Sequence, residues 1–208
     1  MNKNMIKSYV SLKHGINFIY NKHFLTQNEA HYFYQQLNTH LIYNSKEKSS
    51  IFIHGKYVQI PREQVAYGDS GTFYEFSGNK VTTKRWNSDN VGKLLLVLKN
   101  KVEIQTGRVF NFVLVNKYKD GNSYIGYHSD DERNLYPKSS IVGISLGGCR
   151  EFQLKCKSDD YVITEKLHHG SLVEMNYPTN TYWRHSVPKR TKINQPRISL
   201  TFRCMKML

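Results

Sequence analysis

"RISLTFR", residues 197–203, alternates Arg197, Ser199, Thr201 and Arg203 with Ile198, Leu200 and Phe202. A period of two puts two arginines and two hydroxyls on one face of a strand and three apolar side chains on the other. The apolar face needs a core. The polar face either meets water at a sheet edge or opens into an interior site. Two arginines in an interior are costly unless they meet an anion, and the planar guanidinium suits a carboxylate held by two hydrogen bonds.

Outward from this strand, most of the chain beyond residue 108 reads the same way. "VFNFVLVNKY", "SIVGISL", "REFQLKC", "DYVITEKL" and "SLVEMNY" are short β-type runs separated by turn signals such as "KDGNS", "GGC" and "HHG". "NKY" projects Asn116 and Tyr118 to one side. Two earlier segments carry helical periodicity. In "TQNEAHYFYQQLNTHLIY", Thr26 and Glu29 have capping-box spacing, and Ala30, Phe33, Tyr34, Leu37 and Leu41 share a stripe. In "SDNVGKLLLVLKNKVEIQTG", Val91, Leu94, Leu95, Leu98 and Val102 do the same, with Gly107 placed to stop the helix. Helices followed by strands predict an α+β protein whose sandwich or jelly-roll core is buttressed by the N-terminal helices.

The chain has 208 residues, enough for one domain, and 30 Lys and Arg against 16 Asp and Glu give a net charge of +14. The excess is spread along the chain, so a polyanion is the expected partner, and the aromatic content of 13% favours nucleic acid, whose bases stack on such rings. Cys149, Cys156 and Cys204 are odd in number and form no CxxC pair. A disulfide framework or zinc knuckle is not expected, and a reducing compartment is. No apolar run reaches the roughly 18 residues of a membrane span, and the basic start "MNKNMIKSYVSLKHG" lacks the apolar region of a secretory signal. Residues 1–20 read as a basic arm and 21–208 as one domain.

Against this basic background, "YIGYHSDDERNLYP" at 124–137 concentrates a histidine, three acids and an arginine. His128 and Asp130 stand two apart and share a face if the backbone is extended. A third ligand must come from elsewhere. His185, in "NTYWRHSVP", is one source, and the pair His168 and His169 is another. Two histidines and a carboxylate form the facial triad of non-haem Fe(II) sites, which leaves open positions for a co-substrate and O₂. On spacing alone, a helix cap with a surface histidine explains "HSDDE" as well.

Together, "NFVLVNKYKDG", "HSDDE", "HGSLVEMNYPTNTYWRHSVP" and "PRISLTFR", in this order, resemble the AlkB family of Fe(II)- and 2-oxoglutarate-dependent dioxygenases, most closely its nuclear DNA-repair branch. The resemblance extends upstream through "IPREQVAYGDSGTFYEFSG" and covers about residues 50 to 206. It implies a double-stranded β-helix core at about 108–206 and a nucleotide-recognition part at about 50–90. It implies His128, Asp130 and His185 as iron ligands. Asn116, Tyr118, Arg197, Thr201 and Arg203 would hold 2-oxoglutarate, Arg197 at the distal carboxylate and Arg203 near the metal-chelating end. The implied reaction consumes O₂ and 2-oxoglutarate, yields succinate and CO₂, and removes an N-methyl group as formaldehyde.

On the substrate side the resemblance implies a flipped base held by Arg62, Tyr74, Phe76 and Glu132. His54 would stand where duplex-acting relatives carry an apolar finger. The loop after "QLKCK" is short, which puts duplex preference in doubt. Lys84 and Arg85, and the cluster Lys189, Arg190 and Lys192, are candidates for phosphate contact. The expected substrates are 1-methyladenine and 3-methylcytosine in DNA, with RNA beside it, acted on by a monomer free of membrane in a nuclear or other reducing compartment. An RNA demethylase or protein hydroxylase using the same iron, and a non-catalytic nucleic-acid-binding jelly roll, stay open as alternatives.

Overall fold

A computed structural model of the protein describes residues 6–45, 49–53, 55–76 and 79–207. Along the chain run β1 (Ile6–Ser11), β2 (Ile16–Asn21), α1 (Gln27–His40), β3 (Ser50–Ile53), β4 (Lys56–Gln59), β5 (Glu63–Gly68), β6 (Phe73–Phe76), β7 (Asn79–Thr82) and β8 (Lys84–Arg85). There follow α2 (Asn90–Thr106), β9 (Phe112–Tyr118), β10 (Ile125–His128), β11 (Ile141–Gly147), β12 (Arg150–Cys156), β13 (Val162–Leu167), β14 (Ser171–Met175), α3 (Thr179–Tyr182), β15 (Trp183–Val187) and β16 (Arg197–Arg203). A major sheet has the order β1-β2-β14-β11-β16-β9-β5-β8, and a minor sheet the order β10-β15-β12-β13. The pairs β3-β4 and β6-β7 form separate hairpins within the segment expected to recognise the nucleotide.

The two faces of β16 sort as its alternation requires. Ile198, Leu200 and Phe202 join Val113 and Val115 of β9 and Val142 and Ile144 of β11 beneath Phe33 and Leu37 of α1 and Leu95, Leu98 and Val102 of α2. At about 1.5–3 kcal/mol for each large apolar side chain removed from water, this layer fastens the helices to the outside of the major sheet. Its opposite face looks toward the minor sheet, where Phe18, Tyr20, Phe152, Leu154, Met175, Trp183 and Val187 form a second cluster.

The two long helices, α1 and α2, stop and start where their caps dictate. Thr26 and Glu29 exchange the two hydrogen bonds of a capping box. Asp89 caps α2 by accepting from the Gly92 N–H, and Gly107 ends it in the left-handed region at φ 66°, which costs glycine nothing.

The N-terminus departs from the expected basic arm. Residues 6–11 and 16–21 are strands, β2 pairing with β14 and β1 lying outermost. The reason is alternation: Ile16, Phe18 and Tyr20 are buried while their neighbours are not. Lys7 of β1 reaches Glu165 of β13 at 2.9 Å, and the Tyr9 hydroxyl donates to the same carboxylate at 3.0 Å. Each of these two strands is one edge of its sheet. The basic residue at position 7 thus ties one side of the sandwich together.

Candidate active site

Between the sheets lies a cavity lined by the polar faces of β9, β11 and β16 on one side and by β10, β15 and Phe152 on the other. His128 and His185 are direct partners across the β10–β15 ladder, so both imidazoles leave the same face, their ring centres 4.2 Å apart. Asp130 follows β10 and brings its Oδ1 to 3.6 Å from His128 Nε2 and 3.7 Å from His185 Nε2. One ligand atom from each of the three residues lies within 4.8 Å of the others.

The donor chemistry fits a divalent metal. His128 donates Nδ1–H to the Gly126 carbonyl at 2.9 Å, the tautomer that leaves the Nε2 lone pair facing the other two groups. Burial, and then the neighbouring His128, lower the His185 pKa to about 3, so this imidazole stays neutral and able to ligate. Burial alone would raise the Asp130 carboxyl, but Arg203, followed by His185 and His128, outweighs it and holds the group below the usual carboxylate range. Arg203 donates to Oδ2 from both Nε (3.2 Å) and Nη2 (2.7 Å), leaving Oδ1 for the metal side.

A second group of polar side chains fits a dicarboxylate. Arg197 is 2% exposed, stacks over the Tyr118 ring at 5.3 Å and donates to Ser145 (2.9 Å) and Ser199 (3.2 Å). Its Nη1 has no hydrogen-bond partner among the described residues. A buried guanidinium with an orphaned donor is a strong draw for an anion, since burial without one pulls its pKa down to about 10. Asn116 Oδ1 accepts from Arg62 Nε (3.1 Å) and Gln64 Nε2 (2.8 Å), and Thr201 also lines the cavity.

His128, Asp130, His185, Asn116, Tyr118, Arg197, Thr201, Arg203, Arg62 and Tyr74 thus come to one cavity. Glu132 lies beside it, 3.3 Å from Arg203 Nη1. Tyr74 is buried on Phe112, with the Arg203 guanidinium 5.4 Å from its ring. His54 and the side chain of Phe76 lie outside the described part of the structure. The rival ligands are engaged elsewhere: His168 with the Tyr20 hydroxyl at 2.8 Å, and His169 accepting from the Gly147 N–H at 2.8 Å. Arg190 is paired with Glu151, so Lys189 and Lys192 are the exposed cations of that cluster.

Residues absent from the sequence expectation also shape the site. Ser145 holds Arg197, Gln64 holds Asn116, and the Asn180 side chain bonds both the N–H and the carbonyl of Asp130. Gln64 stands inside "IPREQ" and Asn180 inside "PTNTYWRH", so both were in quoted motifs. Hydrogen bonds to another residue's backbone leave no spacing signal.

A model described as "2OG-Fe(II) oxygenase superfamily" matches residues 17–203. The DNA oxidative demethylase ALKBH2 of Homo sapiens is 41% identical over 84% of this chain and 68% of its own length. The chain belongs to the AlkB family of these oxygenases. The protein of the same name from Bos taurus is 40% identical over 84% of this chain and 64% of its own length. The alpha-ketoglutarate-dependent dioxygenase alkB homolog 3 of Homo sapiens is 37% identical over 53% and 42%. This chain therefore spans about two thirds of the length of the ALKBH2 proteins it matches. In fold it resembles the solved "The structure of OsALKBH1", with a TM-score of 0.58 over 96% of this chain and 99% of that one at 17% identity. The cavity is accordingly that of an AlkB-type dioxygenase, which takes Fe(II), 2-oxoglutarate and O₂. Among the described residues, no helix is long and apolar enough to cross a membrane.

Proposed function

We propose that this chain is an oxidative demethylase of N-alkylated nucleic-acid bases, 1-methyladenine and 3-methylcytosine in DNA foremost and in RNA beside it. The observation that carries the reading is one cavity holding a His-Asp-His cluster and, beside it, the buried Arg197 with an unpaired donor. A binding module has no use for that pairing, and the 41% identity to a DNA oxidative demethylase supports nucleic acid as the substrate.

In this reading His128 Nε2, Asp130 Oδ1 and His185 Nε2 hold Fe(II), and Arg197, with Asn116, Tyr118 and Thr201 around it, holds 2-oxoglutarate. With Fe(II), 2-oxoglutarate and O₂ bound, the site would supply the oxidation of an N-methyl carbon that is then lost as formaldehyde, with 2-oxoglutarate converted to succinate and CO₂. The chain's own groups position and exclude. Arg203 keeps Asp130 ionised and turned to the metal. Arg197, itself buried, would fix the distal carboxylate by charge-assisted bonds. Asn116, bonded to Arg62, links the co-substrate side to the substrate side.

The base must leave its stack to bring a Watson–Crick edge to this depth. Tyr74 forms part of the pocket floor, and Phe76 and His54 are assigned to its walls by the family resemblance. Glu132 Oε2 has no hydrogen-bond partner among the described residues, which suits an exocyclic amine. The connection from β12 to β13, residues 157–161, is short. With histidine at position 54, this supports action on both strand forms and a greater share of single-strand activity than in duplex specialists. The free cysteines fit a reducing, nuclear or similar compartment.

The test is demethylation of matched single-stranded DNA, duplex DNA and RNA, each with one 1-methyladenine, read by mass spectrometry. Loss of one methyl group dependent on 2-oxoglutarate is expected on both strand forms, with a duplex rate not well above the single-strand rate. A duplex rate well above the single-strand rate contradicts the strand preference, and no methyl loss on any of the three contradicts the function.

A further inference from the structure

We infer that Asn180 is a positioning residue for the metal centre, a side-chain clamp that fixes the peptide of the central ligand Asp130. Asp130 lies beyond the end of β10, whose last paired residue is His128 opposite His185. Among the described residues, no strand ladder holds its backbone. In place of one, Asn180 of α3 accepts from the Asp130 N–H through Oδ1 at 3.0 Å and donates from Nδ2 to the Asp130 carbonyl at 2.6 Å. One primary amide thus satisfies both polar groups of a single residue, the pattern of a β-ladder rung supplied by a side chain. The adjacent Ser129 hydroxyl donates to the Trp183 carbonyl at 3.1 Å, a second tie between the same two segments.

The clamp matters because of what α3 is joined to. It runs directly into β15, which carries His185, so Asn180 and the third ligand hang on one stretch of backbone. That stretch is bolted from behind. The Asn17 N–H of β2 donates to Thr179 Oγ1 at 2.7 Å, Lys157 Nζ donates to the Thr181 carbonyl at 2.8 Å, and Trp183 Nε1 donates to the His14 carbonyl at 2.8 Å. The N-terminal hairpin thereby reaches the metal centre through α3. Arg203 holds Oδ2 at the far end of the Asp130 side chain. With only that tether the carboxylate stays near the metal while its backbone pivots, and Oδ1 loses its fixed direction toward the two histidines. Asn180 removes the pivot.

This inference rests on the iron reading of the triad, and the experiment separates the two. Co(II), an air-stable probe whose visible absorption reports coordination geometry, is titrated into the full chain and into Asn180→Ala, Asn180→Asp, His185→Ala and the control Val102→Ala. Val102 is fully buried on α2 in the layer beneath the helices, so that variant lowers stability without touching the site. Melting temperatures of the metal-free proteins accompany each titration.

Asn180→Ala is expected to bind Co(II) about tenfold more weakly, the usual cost of losing a group that orients a ligand, and to change the absorption of bound Co(II). Asn180→Asp is isosteric and keeps the acceptor for the Asp130 N–H. It loses the donor to the carbonyl, so its bound Co(II) spectrum shifts too. Val102→Ala keeps wild-type affinity and spectrum despite a lower melting temperature. If both Asn180 variants bind Co(II) with wild-type affinity and spectrum, or if Val102→Ala loses as much affinity, the clamp is overturned. Wild-type protein that binds no Co(II), or binds it as well after His185→Ala, overturns the metal reading and the clamp with it.

Discussion

Arg197 and Arg203 leave the same face of β16 but meet different partners. Both leave a buried Nη1 without a hydrogen-bond partner among the described residues, but Arg203 is ion-paired with Asp130 and Glu132, whereas Arg197 faces no carboxylate. Arg197→Ala should therefore weaken 2-oxoglutarate binding by one to two decades, as expected for a charge-assisted bond worth about 1.5–3 kcal/mol. Equilibrium dialysis of labelled 2-oxoglutarate against the metal-loaded protein measures this. An unchanged affinity would remove Arg197 from the co-substrate site. At this scale the sequence offered a pair of arginines on one strand face and a histidine two residues from an aspartate, but spacing left each with a solvent-facing alternative, and only the shared cavity brings them together. It was silent on Arg203's partner, on Asn180 and on Gln64, because contacts between residues distant in the chain, or with backbone, have no periodicity to betray them.

The helices show how local chemistry sets an element's bounds. Glu29 closes the capping box of α1 and also receives Lys101 of α2 at 2.8 Å. The hydrogen bond from Lys101, then those from Thr26, lower its pKa to about 2. A carboxylate depressed in the folded state stabilises above its unfolded pKa of about 4.3, and that contribution disappears as pH falls through the folded value of about 2. Glu29→Gln keeps the cap but loses the charge. At neutral pH it should cost about 0.2–1 kcal/mol, small because the pair is partly solvated, and urea unfolding should show the gap closing between about pH 4 and 2. A gap independent of pH would mean that packing, not charge, is lost. The two long helices and the later strands were readable from caps and alternation. β1 was not, because its lysine and serine content resembles a solvated tail. Only the pairing of β1 with β2 and the reach of Lys7 to Glu165 make it a strand.

Across the whole molecule, a net charge of +14 should make the proposed affinity for nucleic acid strongly salt-dependent. Lys189 and Lys192 are exposed a few residues beyond His185, while Arg190 is committed to Glu151. Replacing both lysines by alanine should weaken binding to every sequence alike and reduce the slope of log K against log salt by about 1 for each lysine. Arg190→Ala should change the slope less. Equal slopes for all three proteins would make the cluster ordinary surface charge. The charge total pointed to a polyanion but could not say which cations are free, since that depends on pairings across strands. The central claim joins both halves of the molecule, an iron site that oxidises and a basic surface that brings it a methylated base. The measurement that tests it most directly counts succinate formed and methyl groups lost in one reaction, using a single-stranded oligonucleotide with one 1-methyladenine and wild-type or Asp130→Ala protein. The account predicts one succinate for each methyl group removed by the wild type, and neither product from Asp130→Ala. Succinate without methyl loss would contradict the substrate, and methyl loss by Asp130→Ala would contradict the site.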